Sequence, residues 1–277
     1  MDIKKIALYF FILIPTTVFA AANSDEIEWN TTLKNRYFSD QPIEESNAVI
    51  ELDAPYRAED PALVPLKIIS KVKQTPDSYI KKILVLVDKN PLPFVWEFEF
   101  TPESGKADLA MRIRVNTYSY IRAIAQMNNG KLFMSKKFVK ASGGCSTPIS
   151  ADMDASMKRL GKMKFKLDSD MSAAQPTLVQ LLISHPNVTG MQMDQVTRFL
   201  KKSHFIENIK ISFNNKPVLT AKTDIAISSD PNFRFYFIPE KAGELKAEFT
   251  DTSCESAIAR DACKKGQTYT ETYQVNP

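Results

Sequence analysis

Apolar and polar residues alternate with a period of two along most of this chain, which predicts strands rather than helices. Val95-Trp96-Glu97-Phe98-Glu99-Phe100 and Ala110-Met111-Arg112-Ile113-Arg114-Val115 alternate cleanly. Ala48–Leu52, Leu63–Ile69, Tyr118–Gln126 and Lys131–Val139 read the same way. Ile80–Val87 alternates imperfectly but is rich in β-branched residues. Turn residues separate these runs: Asp88-Lys89-Asn90-Pro91, Pro102-Glu103-Ser104-Gly105 and Asn128-Asn129-Gly130. About seven short strands with regular turns predict an immunoglobulin-like sandwich over residues 24–140. Ahead of it, Trp29, Leu33, Arg36 and Tyr37 have helical spacing, and Gln41-Pro42 ends that pattern.

A second series of strands follows: Met163–Leu167, Thr177–Ser184, Ile209–Phe213, Lys216–Ala221, Phe233–Ile238, Glu244–Asp251 and Thr268–Gln274. Asn214-Asn215 makes a tight hairpin turn. Residues 161–277 thus predict a second sandwich of ordinary domain size. Between the two, residues 141–160 break the alternation. Ala141-Ser142-Gly143-Gly144-Cys145-Ser146-Thr147-Pro148 has linker composition, and Asp152–Leu160 suits a short helix. The expected class is all-β: two immunoglobulin-like sandwiches joined by a Gly-Gly-Cys linker.

The first residues change the picture of location. Met1–Lys5 is basic, Ile6–Phe19 is apolar apart from Thr16 and Thr17, and Val18-Phe19-Ala20 carries small residues where a signal peptidase reads. This is the three-part pattern of a secretory signal peptide over residues 1–20, with cleavage after Ala20 or Ala22. The apolar run is short of the roughly 20 residues a transmembrane helix needs. An exported chain without stable membrane insertion is expected. The signal takes two lysines and one aspartate with it, lowering the net charge from +4 to +3. With basic residues scattered along the chain, that charge gives no footprint for nucleic acid.

An exported protein meets an oxidising compartment, where cysteines tend to pair. Of the three cysteines, Cys254 and Cys263 flank a polar, loop-like stretch and are expected to form a disulfide. A bridge of this kind is worth roughly 2–3 kcal/mol. Cys145 is then the odd thiol; the alternative pairs it with one of the other two. Two glycines free its backbone, and Lys136, Lys137 and Lys140 lie upstream as cations that could favour the thiolate. Such a thiol suits a carrier arm, and an incidental cysteine in a flexible linker is the plain alternative.

Other chemistry is scarce. The two histidines, His185 and His204, stand apart and lack any metal-site spacing, so no histidine-based metal centre is expected. There is no P-loop, dinucleotide fingerprint or GxSxG elbow. Met153, Met157, Met163, Met171, Met191 and Met193 form a loose set that could join Cys145 in holding Cu(I), although gap filling is the commoner use of methionine. A thiol oxidoreductase would want a resolving cysteine near Cys145, and none is there.

Several segments together resemble a known family. Gly143-Gly144-Cys145 resembles the cysteine arm of SoxY, the sulfur-carrier subunit of bacterial thiosulfate oxidation. Leu52–Asp60 and Leu63-Val64-Pro65 resemble the acidic "AP..AE" segment and "VP" of SoxY. His185-Pro186-Asn187-Val188-Thr189-Gly190, His204-Phe205-Ile206 and Ile227–Phe233 resemble segments of SoxZ. The fused order is similar to the SoxYZ-like carriers associated with quinoprotein dehydrogenases. The resemblance implies a periplasmic, non-enzymatic carrier with a sulfur-containing cargo bound covalently to Cys145 and no other cofactor. It implies as partners Sox-type enzymes, or a quinoprotein (PQQ) dehydrogenase and its cytochrome, with the carrier a monomer or homodimer. The alternatives are a non-covalent accessory protein of that dehydrogenase system and a copper-binding protein. One departure stands out: SoxY ends in GGCGG, whereas here Ser146 and Thr147 follow the cysteine and the arm is tied at both ends.

Overall fold

A computed structural model describes residues 24–147, 153–167, 171–252 and 265–277. The expected signal peptide and the expected Cys254–Cys263 disulfide lie outside the described residues.

The first half contributes β1 (Ile43–Glu45), β2 (Ile50–Asp53), β3 (Val64–Ser70), β4 (Ile80–Val87), β5 (Phe94–Phe100), β6 (Leu109–Ile113), β7 (Ser119–Met127) and β8 (Leu132–Val139). A short helix, α2 (Met153–Lys158), leads into the second half. There follow β9 (Met163–Leu167), β10 (Thr177–Ile183), β11 (Ile206–Phe213), β12 (Lys216–Thr223), β13 (Asn232–Phe237), β14 (Gly243–Thr252) and β15 (Lys265–Val275). Asn214 and Asn215, between β11 and β12, both take positive φ, as the tight hairpin turn read from the sequence requires.

The two halves are not beads on a linker. Their sandwiches join edge to edge, so that both sheets run through the whole molecule. One sheet has nine strands in the order β1-β8-β7-β4-β5-β12-β11-β14-β15, the other six in the order β2-β3-β6-β13-β10-β9. The seam in the larger sheet is an antiparallel pairing of β5 with β12, from Trp96 opposite Thr223 to Phe100 opposite Leu219. In the smaller sheet it is the pairing of Arg234 with Ala110, extended by an isolated bridge between Ile113 and Ile227. Pairing of this kind satisfies edge strands that would otherwise invite aggregation.

An apolar core continuous across the two halves follows from this arrangement. It runs from Val49 and Ile50 in the first half to Phe249 and Val275 in the second. Phe98 packs on Phe233 across the seam, with ring centroids 6.2 Å apart. Burying such rings removes apolar area from water at about 25 cal/mol per Å².

The outer face of the nine-stranded sheet is covered near its first edge. Trp29–Leu33 forms a π-helical turn that runs into α1 (Lys34–Phe38). Trp29 and Leu33 pack on Leu84, Leu86, Ile124, Leu132 and Met134. This explains the imperfect alternation of β4: from Ile83 onward it is buried on both faces, against the core and against this helix. Arg122 on β7 ties the helix down. Its guanidinium contacts Asp88 at 2.8 Å and Glu26, and lies 4.5 Å from the Trp29 ring. Among the described residues no helix is long and apolar enough to cross a membrane.

Candidate functional site

The loop after β8 carries Cys145, and it is docked against the body. Ala141, Gly144 and Cys145 are buried. The Gly143 N–H donates to the Asn116 carbonyl at 2.8 Å and the Gly144 N–H to the Val115 carbonyl at 3.2 Å. The Cys145 N–H donates to Asn116 Oδ1 at 3.3 Å. Gly143 sits at φ +79°, a left-handed conformation that glycine takes without steric cost. Its carbonyl accepts from the N–H groups of Ser146 and Thr147, which turns the chain over on itself. At Gly144 the reason for glycine is space: a Cβ would lie 2.1 Å from the Pro61 carbonyl oxygen and 2.5 Å from that of Val115. In the docked loop both glycines therefore serve geometry, where linker composition suggested freedom alone.

Two side chains hold the loop from opposite halves. Arg114 Nη1 donates to the Gly144 carbonyl at 3.1 Å, and the Thr189 hydroxyl donates to the Cys145 carbonyl at 2.7 Å. Around them converge the segments that the sequence spaces widely. The Pro61 carbonyl accepts the Val115 N–H at 2.9 Å. The Ser228 hydroxyl donates to the Ala62 carbonyl at 2.7 Å, and Asn187 Nδ2 donates to the Ser228 carbonyl at 2.7 Å. The residues near 60, 187 and 228 thus form one cradle at the seam, with the Cys145 loop seated in it.

The thiol in this position is not an activated nucleophile. Cys145 is only 1 % exposed. Burial pushes its pKa up to about 11, against the opposing pull of the Arg114 guanidinium. The cation acting on the thiol is Arg114, not the upstream lysines. Lys136 is engaged by Glu26 at 2.7 Å and Glu45 at 2.9 Å, and Lys140 lies over the Tyr56 ring. Arg114 is itself 1 % exposed, its Nε has no hydrogen-bond partner, and burial lowers its pKa. Of the methionines considered with Cys145, Met163 and Met171 pack on the core while Met157 and Met193 are exposed.

The fold also brings together the two histidines, which sequence spacing alone kept apart. His185 follows β10, His204 precedes β11, and both meet Asp251 on β14. His204 Nε2 lies 2.9 Å and His185 Nε2 3.5 Å from Asp251 Oδ2, with the rings T-shaped at 4.7 Å. Three such ligand atoms within 4.8 Å could in principle hold a metal ion. The hydrogen bonding argues for another use. The Asn187 N–H donates to His185 Nδ1 at 3.0 Å, so the neutral ring carries its proton on Nε2, facing the carboxylate rather than offering a lone pair. Burial works to raise the Asp251 pKa, but the close His185 ring and the hydrogen bond with His204 hold it well below the usual carboxylate range. Burial lowers the His185 pKa.

A pH dependence follows from His185. Its folded pKa lies below the unfolded value of about 6.5, so its contribution to stability is present above that pH and is lost as the pH falls. The depressed Asp251 pKa acts in the same direction at lower pH. Thermal unfolding measured from pH 7.5 to 5 should show the midpoint falling with acid, with a smaller slope in His185→Gln. Equal slopes in the two proteins would remove His185 as the cause.

Residues 34–145 match the family described as "Sulfur oxidation protein SoxY", and residues 165–261 match "Sulphur oxidation protein SoxZ". Comparison with curated proteins gave no match. Among solved structures, the superoxide reductase (neelaredoxin) from Ignicoccus hospitalis is 14% identical with a TM-score of 0.31, covering 33% of this chain and 79% of its own. A glycosyl hydrolase family 2 member from Bacteroides cellulosilyticus DSM 14838 is 9% identical with a TM-score of 0.23, covering 82% of this chain and 29% of its own. Likeness at that level carries no argument about function. The two family matches are consecutive, and the first ends on Cys145 in the cradle that both halves build. The chain is a fusion of a SoxY-like and a SoxZ-like domain and belongs to the sulfur-oxidation carrier family.

Proposed function

We propose that this protein is a periplasmic carrier that binds a sulfur-containing group covalently on Cys145 and presents it to partner enzymes. The observation that supports the reading most is the placement of Cys145 in a cradle made by both domains, on a loop held by two main-chain hydrogen bonds and by the side chains of Arg114, Asn116 and Thr189. Docked, the thiol is protonated and shielded, so loading requires the loop to leave the cradle. Once in water its pKa returns from about 11 toward the ordinary value of 9.0, and a thiolate becomes accessible. The thiolate sulfur then attacks a sulfur atom bearing a leaving group. An S–S bond forms, the donor's sulfur–leaving-group bond breaks, and the leaving group departs with the electron pair. No resident cofactor is required for this exchange. Sox-type enzymes, or a quinoprotein dehydrogenase with its cytochrome, are the partners proposed to load and unload the group.

The burial of Cys145 also favours a second reading, a non-covalent accessory protein of that dehydrogenase system in which the thiol only packs. Intact mass spectrometry of protein from the native source separates the two. The carrier reading expects a reductant-labile mass that maps to Cys145 and is lost in Cys145→Ser, with the fold intact. A bare Cys145 in every growth condition, with partner activity preserved in Cys145→Ala, would leave the accessory reading standing.

A further inference from the structure

Between β10 and β11 the chain leaves the body as a small hairpin. Antiparallel bridges join Val188 to His204 at its stem and Met193 to Leu200 near its tip. The tip is apolar and open to solvent: Val196 is 90 % exposed, Phe199 77 %, Leu200 63 % and Met193 45 %. A contiguous exposed apolar group rimmed by polar residues marks an interaction site.

The tip is held in shape by polar contacts rather than by a core of its own. Asp194 Oδ1 accepts the N–H groups of Val196 at 3.1 Å and Thr197 at 2.9 Å, and the Thr197 hydroxyl at 3.1 Å. The Asp194 N–H donates to the Phe199 carbonyl and the Lys201 N–H to the Gln192 carbonyl. The bonds that the Asp194 carboxylate accepts, from Thr197 first and then Val196, hold its pKa down at about 2. Arg198 takes φ +62°, which closes the turn and leaves Val196 and Phe199 pointing away. Side chains fixed in place before binding lose little entropy when a partner covers them.

The rim is basic. Arg198, Lys201 and Lys202 flank the apolar residues, and the hairpin's single carboxylate, Asp194, is occupied by the turn and by Lys201 at 3.4 Å. The stem reaches the thiol loop. The Thr189 N–H donates to Gln192 Oε1 at 2.8 Å, and the Thr189 hydroxyl donates to the Cys145 carbonyl.

We propose that the apolar tip of the 188–204 hairpin docks a partner protein through an apolar pocket ringed by carboxylates. A second copy of this chain would bring like charges together across a two-fold axis, which disfavours it. The bonding of the hairpin's stem to the Cys145 loop links the docked partner to the thiol's loop. That consequence rests on the carrier reading, whereas the docking surface itself does not.

The test introduces p-benzoylphenylalanine at Val196 of the full chain, with the same residue at Leu178 on β10 as control, and irradiates cells of the native source. The captured protein is purified, and its Kd is measured against wild type, Val196→Asp/Phe199→Asp, and Arg198→Glu/Lys202→Glu. The expected result is an adduct specific to position 196 and a Kd weakened about 100-fold by the aspartates. The charge-reversed pair should slow association and flatten its salt dependence. Thermal unfolding should be unchanged, because every substituted side chain is exposed. No adduct beyond that at position 178, an adduct with a second copy, an unchanged Kd, or binding only to phosphatidylglycerol vesicles would overturn the proposal. Cys145→Ser should keep the wild-type Kd. Loss of cargo with docking retained would therefore speak to the thiol alone, and loss of docking with cargo retained to the hairpin alone.

Discussion

In the Gly144→Ala variant, iodoacetamide should reach Cys145 about 100-fold faster than in the wild-type protein at pH 7.5. The added methyl cannot be accommodated by a rotamer change, because the atoms it meets are the main-chain carbonyl groups of Pro61 and Val115. Those groups are themselves fixed, the Pro61 oxygen accepting the Val115 N–H within the cradle. The loop must lift, and with it go the bonds to Arg114 and Thr189. Undocking returns the thiol from about 11 toward 9.0, the reference from which burial raises it. Two pKa units correspond to about 100-fold more thiolate at neutral pH, before any gain from steric access. Thr189→Val should act in the same direction but less strongly, since it removes one hydroxyl and leaves the Cys145 carbonyl unpaired at about 1–3 kcal/mol. An unchanged alkylation rate in Gly144→Ala would mean that the close approach at Gly144 is not what stows the thiol.

The same shift gives the docked state an alkaline limit. A thiol whose folded pKa is raised contributes stability that is complete below the unfolded pKa and is lost as the pH climbs through the folded value. For Cys145 that window runs from 9.0 to about 11. Docking and thiolate formation oppose one another, so a partner that draws the thiolate out works with this linkage rather than against the fold.

Much of the strand content was legible because each half buries one face of each sheet. Richness in β-branched residues placed Ile80–Val87 and alternation placed Met163–Leu167, both with the bounds they have. The strand β1 (Ile43–Glu45) escaped notice because three residues, two of them glutamates, carry no period. The seam was illegible for a different reason. Edge pairing of β5 with β12 is made by main-chain groups, and Phe98 or Ala221 would alternate in the same way at a solvent-facing edge. Cys145 drew attention through its two glycines, but composition read the segment as a free linker. What docks it is hydrogen bonding from Arg114, Asn116 and Thr189, residues remote in sequence. The meeting of His185, His204 and Asp251 depends on two strand ends and a facing strand, which no local spacing encodes. Alternation alone puts a charged residue such as Arg114 or Arg122 on a solvent face, yet both are buried. The signal for Arg122 was present in Asp88 and Glu26, but only the fold says that these carboxylates share its site.

Arg122→Met should destabilise the protein by about 3–5 kcal/mol, the usual cost of removing one partner from a buried ion pair. Arg122 and Asp88 are both without solvent exposure at their side chains, and Arg122 Nε lies 3.0 Å and 2.9 Å from the two Asp88 oxygens. Without the guanidinium, Asp88 is left as a buried carboxylate that must take up a proton or draw in water. Burial already pushes its pKa up against the pull of Arg122. In the variant that upward push is unopposed, and the sign of the pH dependence follows. Stability is fully present below the unfolded pKa of about 3.9 and is lost as the pH rises through the higher folded value, so the deficit should shrink in acid. Arg122→Met/Asp88→Leu, which removes both charges, should recover a large part of the loss. The damage should also be local at first. Glu26 keeps Lys136 but loses Arg122, and the Trp29 ring loses its cation, so amide exchange in residues 26–38 should quicken before that of β10 or β13. If denaturant unfolding instead gives Arg122→Met a loss under about 1 kcal/mol, the buried pair is not what pins the helix, and the apolar contacts of Trp29 and Leu33 carry that attachment alone.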